Sequence, residues 1–456
     1  MKLTRRKIVI GASALAFTGL ALNLKSTGLK PRKSESRLYG PLIIDPDGIL
    51  DLPSGFEYKV ISELNDVMDD GYHVPDRADG MGCIPLDGNK VALIKNHEIR
   101  LKSQDPVQSK KQIPLLNVAY DKSDKNEPHP GGTTTLIYDM EKGVRLNEYR
   151  SLIGTLNNCA GGVTPWGSWL SCEENVTKAG DNATKDHGWV FEVPANMDEL
   201  SEPVPLKAMG RFNHEAAAVD PKTGIVYMTE DRPNSLFYRF IPNEYGKLDK
   251  GGTLQALALM DAAKSQDSRN WETDDYQVGE WFDTRWVDLE DIESPNDDLR
   301  IQGFQKGGVI FARGEGIHWG DNELYFCCTS GGNKNLGQIM RYQPSEFEGT
   351  PQEGNRPGKL QLFFESTDPS VFNYGDNITV APNGHLFVCE DQYTAVVDNH
   401  LVGITPTGEA YSFGKLRLQT ELAGVCFSPD GSTMFINVYQ PTKTLAITGP
   451  WDQIKA

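Results

Sequence analysis

The sequence predicts an all-β protein, a six-bladed β-propeller with loop and short helical insertions. Two observations predict it: short β-rich runs bounded by Pro, Gly, Asn and Asp with no sustained helical periodicity after residue 40, and one hairpin unit that recurs six times. The unit is an apolar strand, a tight turn built on Pro-x-Gly or a close variant, and a second apolar strand. It occurs at CIPLDGNKVALIKNHE (83–98), GVTPWGSWLSCEEN (162–175), AVDPKTGIVYMTED (218–231), GIHWGDNELYFCCTS (316–330), TVAPNGHLFVCED (379–391) and CFSPDGSTMFINVY (426–439). A blade buries its faces only against neighbouring blades, so a hairpin repeated at irregular spacing fits a propeller with insertions. The acidic stretches 263–275 and 288–298 then fall in insertions, and residues 34–456 form one catalytic domain.

Before that domain, residues 1–33 carry eight basic residues and no acid. Thr4-Arg5-Arg6-Lys7 followed by an apolar run to Leu24 has the form of a twin-arginine export signal, which makes the export machinery a partner. The expected location is periplasmic or secreted, with no stable membrane span in the mature form.

The chain has 456 residues, 45 Lys and Arg, 63 Asp and Glu, and a formal charge of −18. Without the eight basic residues of 1–33 the remainder carries −26, which excludes nucleic acid as a partner, because phosphate backbones require a basic footprint. An acidic protein that binds an anion needs cations between the two. The seven cysteines form no C-x-x-C pair and no zinc spacing, and Cys159, in NNCAGG, stands outside the apolar runs that hold most of the others.

The hairpins concentrate acids at one end. Glu173-Glu174, Glu230-Asp231 and Glu390-Asp391 end three second strands at matching offsets, and Glu98 ends another. The entries to the first strands are also polar, with Asp79, Cys159, His214-Glu215, Arg313 and Glu315, Asp376-Asn377, and Glu421. Strand-one starts and strand-two ends share one end of a hairpin, so these groups converge on one mouth of the propeller. Crowded carboxylates repel one another and raise each other's pKa, and bound metal resolves the conflict. Oxygen donors suit calcium, and a thiolate among them suits an ion that accepts both sulfur and oxygen, such as iron.

NCAGGVTPWGSWLSCEEN (158–175), RFNHEAAAVDPKTGIVYMTED (211–231), ARGEG (312–316), VCED (388–391) and the segment from ELAGVCFSPDG to ITGPW (421–451) resemble the PhoX-type alkaline phosphatases. The resemblance implies a propeller with iron and calcium at one mouth, acting on small-molecule phosphate monoesters. It implies that Cys159 is the iron-ligating thiolate, that Glu215, Glu315 and one of Glu173 or Glu174 supply ligating carboxylates, with Glu98, Asp231, Glu390 and Asp391 as further ligands, and that Arg313 faces the transferred phosphoryl group. YSFGKLRLQTELAG (411–424) departs from the family pattern for a second phosphate-binding arginine, leaving Lys415 or Arg417 as substitutes. Two alternatives stay open: a calcium-only propeller hydrolase (a lactonase, phosphotriesterase or phosphodiesterase), in which the thiol is idle, and a non-catalytic, calcium-stabilised binding propeller.

Overall fold

A computed structural model describes residues 38–101, 117–123 and 125–451. The twin-arginine segment lies outside the described residues, and no helix among them is long and apolar enough to cross a membrane. Strands dominate the described residues, which hold one short α-helix, Leu299–Gln305, and three single-turn 3-10 helices.

Three strands come first: β1 (Leu42–Ile43), β2 (Leu50–Pro53) and β3 (Glu57–Glu63). Antiparallel meanders follow. The first is β4 (Ala78–Pro85), β5 (Lys90–His97), β6 (Gly131–Asp139) and β7 (Val144–Thr155); the second is β8 (Asn158–Val163), β9 (Ser168–Glu173) and β10 (Val190–Pro194). The third contains β11 (His214–Val219), β12 (Val226–Glu230), β13 (Tyr238–Pro242), β14 (Gly252–Leu259) and β15 (Trp281–Asp288), and the fourth β16 (Gly314–Trp319), β17 (Leu324–Cys328), β18 (Gln338–Gln343) and β19 (Lys359–Glu365). These two join through β15 and β19 into a nine-stranded sheet. The fifth, β20 (Gly375–Val380), β21 (Leu386–Glu390), β22 (His400–Ile404) and β23 (Ala410–Leu416), gains β2 and β1 at its outer edge. The last, β24 (Leu422–Phe427), β25 (Thr433–Val438) and β26 (Lys443–Thr448), is completed by β3, so the amino-terminal part of the chain closes the circle.

The first strands of the meanders form the inner ring. β4 packs on β8, β8 on β11, β11 on β16, β16 on β20, β20 on β24, and β24 back on β4, giving a propeller-like arrangement. Glycine permits the close approach: a Cβ at Gly80 would stand 2.4 Å from the Ala160 Cα, and one at Gly162 would stand 2.0 Å from the Ala217 carbonyl oxygen. The ring encloses a channel of about 970 Å³, lined towards the strand-turn end by Pro165, Asp321, Pro382 and Pro429. The acid cluster lies at the opposite end.

Candidate metal centre

Every inner strand carries an irregularity in its pairing at its start. The shifts fall between Ala78 and Met81, Asn158 and Gly161, His214 and Ala217, Gly314 and Ile317, Gly375 and Ile378, and Ala423 and Cys426. Such bulges re-aim side chains, and here the first residue inside each is Asp79, Cys159, Glu215, Glu315, Asp376 and Gly424. Five of the six positions therefore turn a donor to the same mouth. At the sixth, glycine leaves room for the Asp79 carbonyl, which a Cβ at Gly424 would approach to 2.4 Å.

The second strands contribute by a different rule. His97, Glu173, Glu230 and Glu390 pair across from the first residues of their inner strands, and the residue after each, Glu98, Glu174, Asp231 and Asp391, points the other way. Neighbouring acids in the sequence thus have separate fates. Glu173 is buried; its Oε1 accepts from the Leu156 amide at 2.9 Å and contacts His187 Nδ1 at 2.6 Å, while Oε2 accepts from the Gly188 and Trp189 amides at 2.9 and 3.2 Å. Glu390 accepts from the Asn373 and His400 amides at 2.9 and 3.0 Å. Strand alternation turns these two expected ligands into the blade, where backbone amides occupy their oxygens.

At the mouth, ligand atoms come within 4.8 Å of one another in three groups: Glu98, Cys159 and Glu174; Glu215, Glu315 and Asp376; and Asp376, Asp391 and Glu421. Asp376 belongs to two groups. The Cys159 thiol lies 3.5 Å from Asp79 Oδ2. Asp231, also an expected ligand, belongs to none of these groups: Arg313 Nε and Nη2 donate to its two oxygens at 2.7 and 2.8 Å, so it holds the guanidinium.

The electrostatics are those of a cation site. Burial, with the charges of Glu315 and Asp376 beside it, pushes the Glu215 carboxyl well above the usual range. Burial and the charges of Asp231 and Asp376 do the same to Glu315, and burial with the charges of Glu98 and Asp376 does so to Asp79. Burial followed by neighbouring acids raises Glu174 to about 8 and Asp376 to about 7, and raises the Cys159 thiol. Both oxygens of fully buried Glu215 lack any hydrogen-bond partner among the described residues. A buried carboxylate without a donor is severely unfavourable, and an oxygen-seeking cation would supply the missing partner.

Two arginines face these acids. Arg313, just before β16, holds a left-handed backbone (φ 54°), as do Arg77, Asn157 and Tyr374 just before β4, β8 and β20. Its Nη2 also donates to Glu315 Oε1 at 2.9 Å and lies 3.3 Å from the Tyr393 hydroxyl, and its Nη1 makes no hydrogen bond among the described residues. Burial opposes the guanidinium's charge, but Glu315 and Asp231 outweigh it, and the net shift is upward. Arg100 reaches Glu98 at 2.7 Å and Glu174 at 3.7 Å. Lys415 and Arg417 do not reach the mouth. Lys415 lies on β23, three strands out from the inner ring, and pairs with Asp398 at 2.6 Å, while Arg417 pairs with Asp51 at 3.3 Å. His214 is buried scaffold, with Nε2 2.9 Å from the Gly210 carbonyl and its ring stacked on Phe212.

Asp79, Asp376 and Glu421 are legible in the sequence as polar strand entries converging on the mouth but are missing from the expected ligands; the shared bulge position identifies Asp79 and Asp376. Arg100, Tyr393 and Tyr439, whose hydroxyl donates to Glu98 Oε2, carry no sequence signal of their own.

A family model described as alkaline phosphatase PhoX matches residues 37–442. Among solved structures, Pseudomonas fluorescens PhoX in complex with vanadate, a transition-state analogue, aligns with a TM-score of 0.67 and 18% identity, over 90% of this chain and 97% of that one. A gluconolactonase from Xanthomonas campestris aligns over 91% of this chain and 99% of its own with 10% identity and a TM-score of 0.37, too slight a likeness to bear on function. Comparison with curated protein sequences gives no match.

Proposed function

The chain belongs to the PhoX alkaline phosphatase family and is a phosphatase; from that premise we propose that it hydrolyses phosphate monoesters at an iron and calcium cluster held in the mouth of the inner ring. The fully buried Glu215, with both oxygens unpartnered and two further carboxylates within 4.8 Å, is the observation that carries the metal reading. Cys159, grouped with Glu98 and Glu174, would hold iron, and the all-oxygen groups built on Glu215, Glu315, Asp376, Asp391 and Glu421 would hold calcium. The thiol in the donor set favours iron over the calcium-only alternative, and family membership leaves the non-catalytic reading without support.

When bound, these ions supply Lewis acidity, a lowered pKa for coordinated water and a local positive field that admits an anionic ester. Arg313 meets the transferred group. Asp231 fixes its fork through two hydrogen bonds, leaving Nη1 to donate to an equatorial phosphoryl oxygen, where charge develops as the ester bond breaks. The Tyr393 ring is largely exposed, but desolvation at its hydroxyl and the charge of Asp391 raise the phenol, so the hydroxyl stays protonated and can donate beside that arginine. Arg100 supplies the second cation, in the role the sequence left to Lys415 or Arg417.

The proposal extends to organisation. The nine-stranded sheet reads as two blades fused at their outer edges, which makes six blades in residues 34–456. Residues 1–33 act as the export signal, and the mature enzyme works in the periplasm or outside the cell. Elemental analysis of enzyme purified without chelator, beside hydrolysis of a chromogenic phosphate monoester, tests the reading. Iron and calcium with turnover are expected, and Glu315→Ala should lose metal and turnover together. Calcium without iron, or a fully metallated and active Glu315→Ala variant, would refute it.

A further inference from the structure

Behind Glu174, on the blade side of β9, lies a second donor set that the mouth does not use. Asp121 and His129 face each other across a small loop closed by the Lys122–Pro128 bridge, with the His129 amide donating to the Asp121 carbonyl at 3.2 Å. His187 reaches them from the connection between β9 and β10. All three side chains are 1% exposed or less.

Asp121 Oδ2 lies 3.2 Å from His187 Nε2 and 3.5 Å from His129 Nε2, and the three donor atoms fall within 4.8 Å of one another. Ligands bonded at 2.0–2.1 Å around a tetrahedral ion stand about 3.3 Å apart, so both separations from Asp121 match ligands of one zinc-type ion. His129 Nε2 is buried and makes no hydrogen bond among the described residues. The other nitrogen of His187 lies 2.6 Å from Glu173 Oε1, the carboxylate–histidine pairing that fixes the ring and its tautomer for a metal. Asp121 is itself held by the loop that carries His187: its Oδ2 also accepts from the Thr184 and Lys185 amides, each at 2.9 Å, and its Oδ1 from the Thr184 hydroxyl.

We propose that Asp121, His129 and His187 form a zinc site, oriented by Glu173 and chemically distinct from the oxygen and sulfur donors of the mouth. Two imidazoles and one carboxylate select a borderline ion such as zinc over calcium. Binding replaces the Nε2 proton of His187, which is released to water, and leaves a fourth position for a water molecule. The ion ties the loop after β9 to the segment before β6 and holds the strand end that presents Glu174, so its role is structural.

Cobalt(II) is the probe. Full-length enzyme with Cys159→Ser, produced in cobalt-supplemented and zinc-depleted medium, should contain one cobalt per chain with the visible absorption of a four-coordinate ion. His129→Gln in that background should abolish the absorption. His129→Cys should keep the ion and add a thiolate-to-cobalt charge-transfer band, an outcome that a fold defect cannot produce. Absence of the four-coordinate spectrum, its persistence at full strength in His129→Gln, or the lack of a new band in His129→Cys overturns the site.

Discussion

Replacing Glu174 with Gln should weaken the enzyme's hold on metal and, in metal-free protein, make the fold more stable. Burial first, then the charges of Asp231 and Glu98, raise this carboxyl from 4.5 to about 8. A carboxyl with a raised folded-state pKa leaves stability unaffected below the unfolded value, where both states are protonated. Stability then falls as pH rises from 4.5 to about 8, because the unfolded chain ionises while the folded one retains its proton. At pH 7 the cost is about 3 kcal/mol, from 1.36 kcal/mol per pKa unit, and at pH 5 it is under about 1 kcal/mol. For a chain of this length the unfolding entropy is about 1 kcal/mol/K, so the Glu174→Gln substitution should raise the metal-free Tm by about 3 °C at pH 7 and by less than about 1 °C at pH 5. Gln retains the shape and the hydrogen bond from Asn157 to the side chain, which Glu174 Oε2 accepts at 2.8 Å. Differential scanning calorimetry of both proteins after chelation, at the two pH values, measures the effect. With iron and calcium restored the order should invert, since ligands that bind only the folded state stabilise it by mass action. An equal gain at pH 5 and pH 7, or no gain, would show that carboxylate crowding does not set the energetics of this mouth.

Glu173→Gln should act in the opposite sense: it breaks a buried charged contact with His187 and lowers stability by about 3–5 kcal/mol, while iron and calcium per folded chain stay unchanged by elemental analysis. Arg313→Lys keeps the charge but loses the fork held by Asp231, and kcat/KM for a chromogenic monoester should fall about 10²–10³-fold with metal retained; a fall below tenfold counts against phosphoryl contact. Cys159→Ser should remove iron and spare calcium, and unchanged iron content would return Cys159 to the status of an idle buried thiol.

The residue sequence by itself determined the repeating unit and its polarity. Turn glycines and prolines bracket each hairpin, and a hairpin's two ends are neighbours in any antiparallel pair, so convergence of acids on one mouth followed without coordinates. The thiol among them and its Cys-Ala-Gly-Gly context were equally legible. Which member of each acid pair serves the mouth was not. Glu173 and Glu174 are the same residue type at adjacent positions, and only the pairing of Glu173 with Asn158, next to the bulge at Cys159, turns one into the blade and the other to the centre. Asp231 looked like its neighbours until Arg313, 82 residues away along the chain, took both its oxygens. Lys415 and Arg417 lie near Glu421 in sequence but on or after an outer strand, whereas Arg100, from the first meander, reaches the acids. Local chemistry and spacing decide which groups a chain can offer. Register, bulges and the order of strands from axis to rim decide which of them meet, because those depend on contacts between segments far apart in sequence.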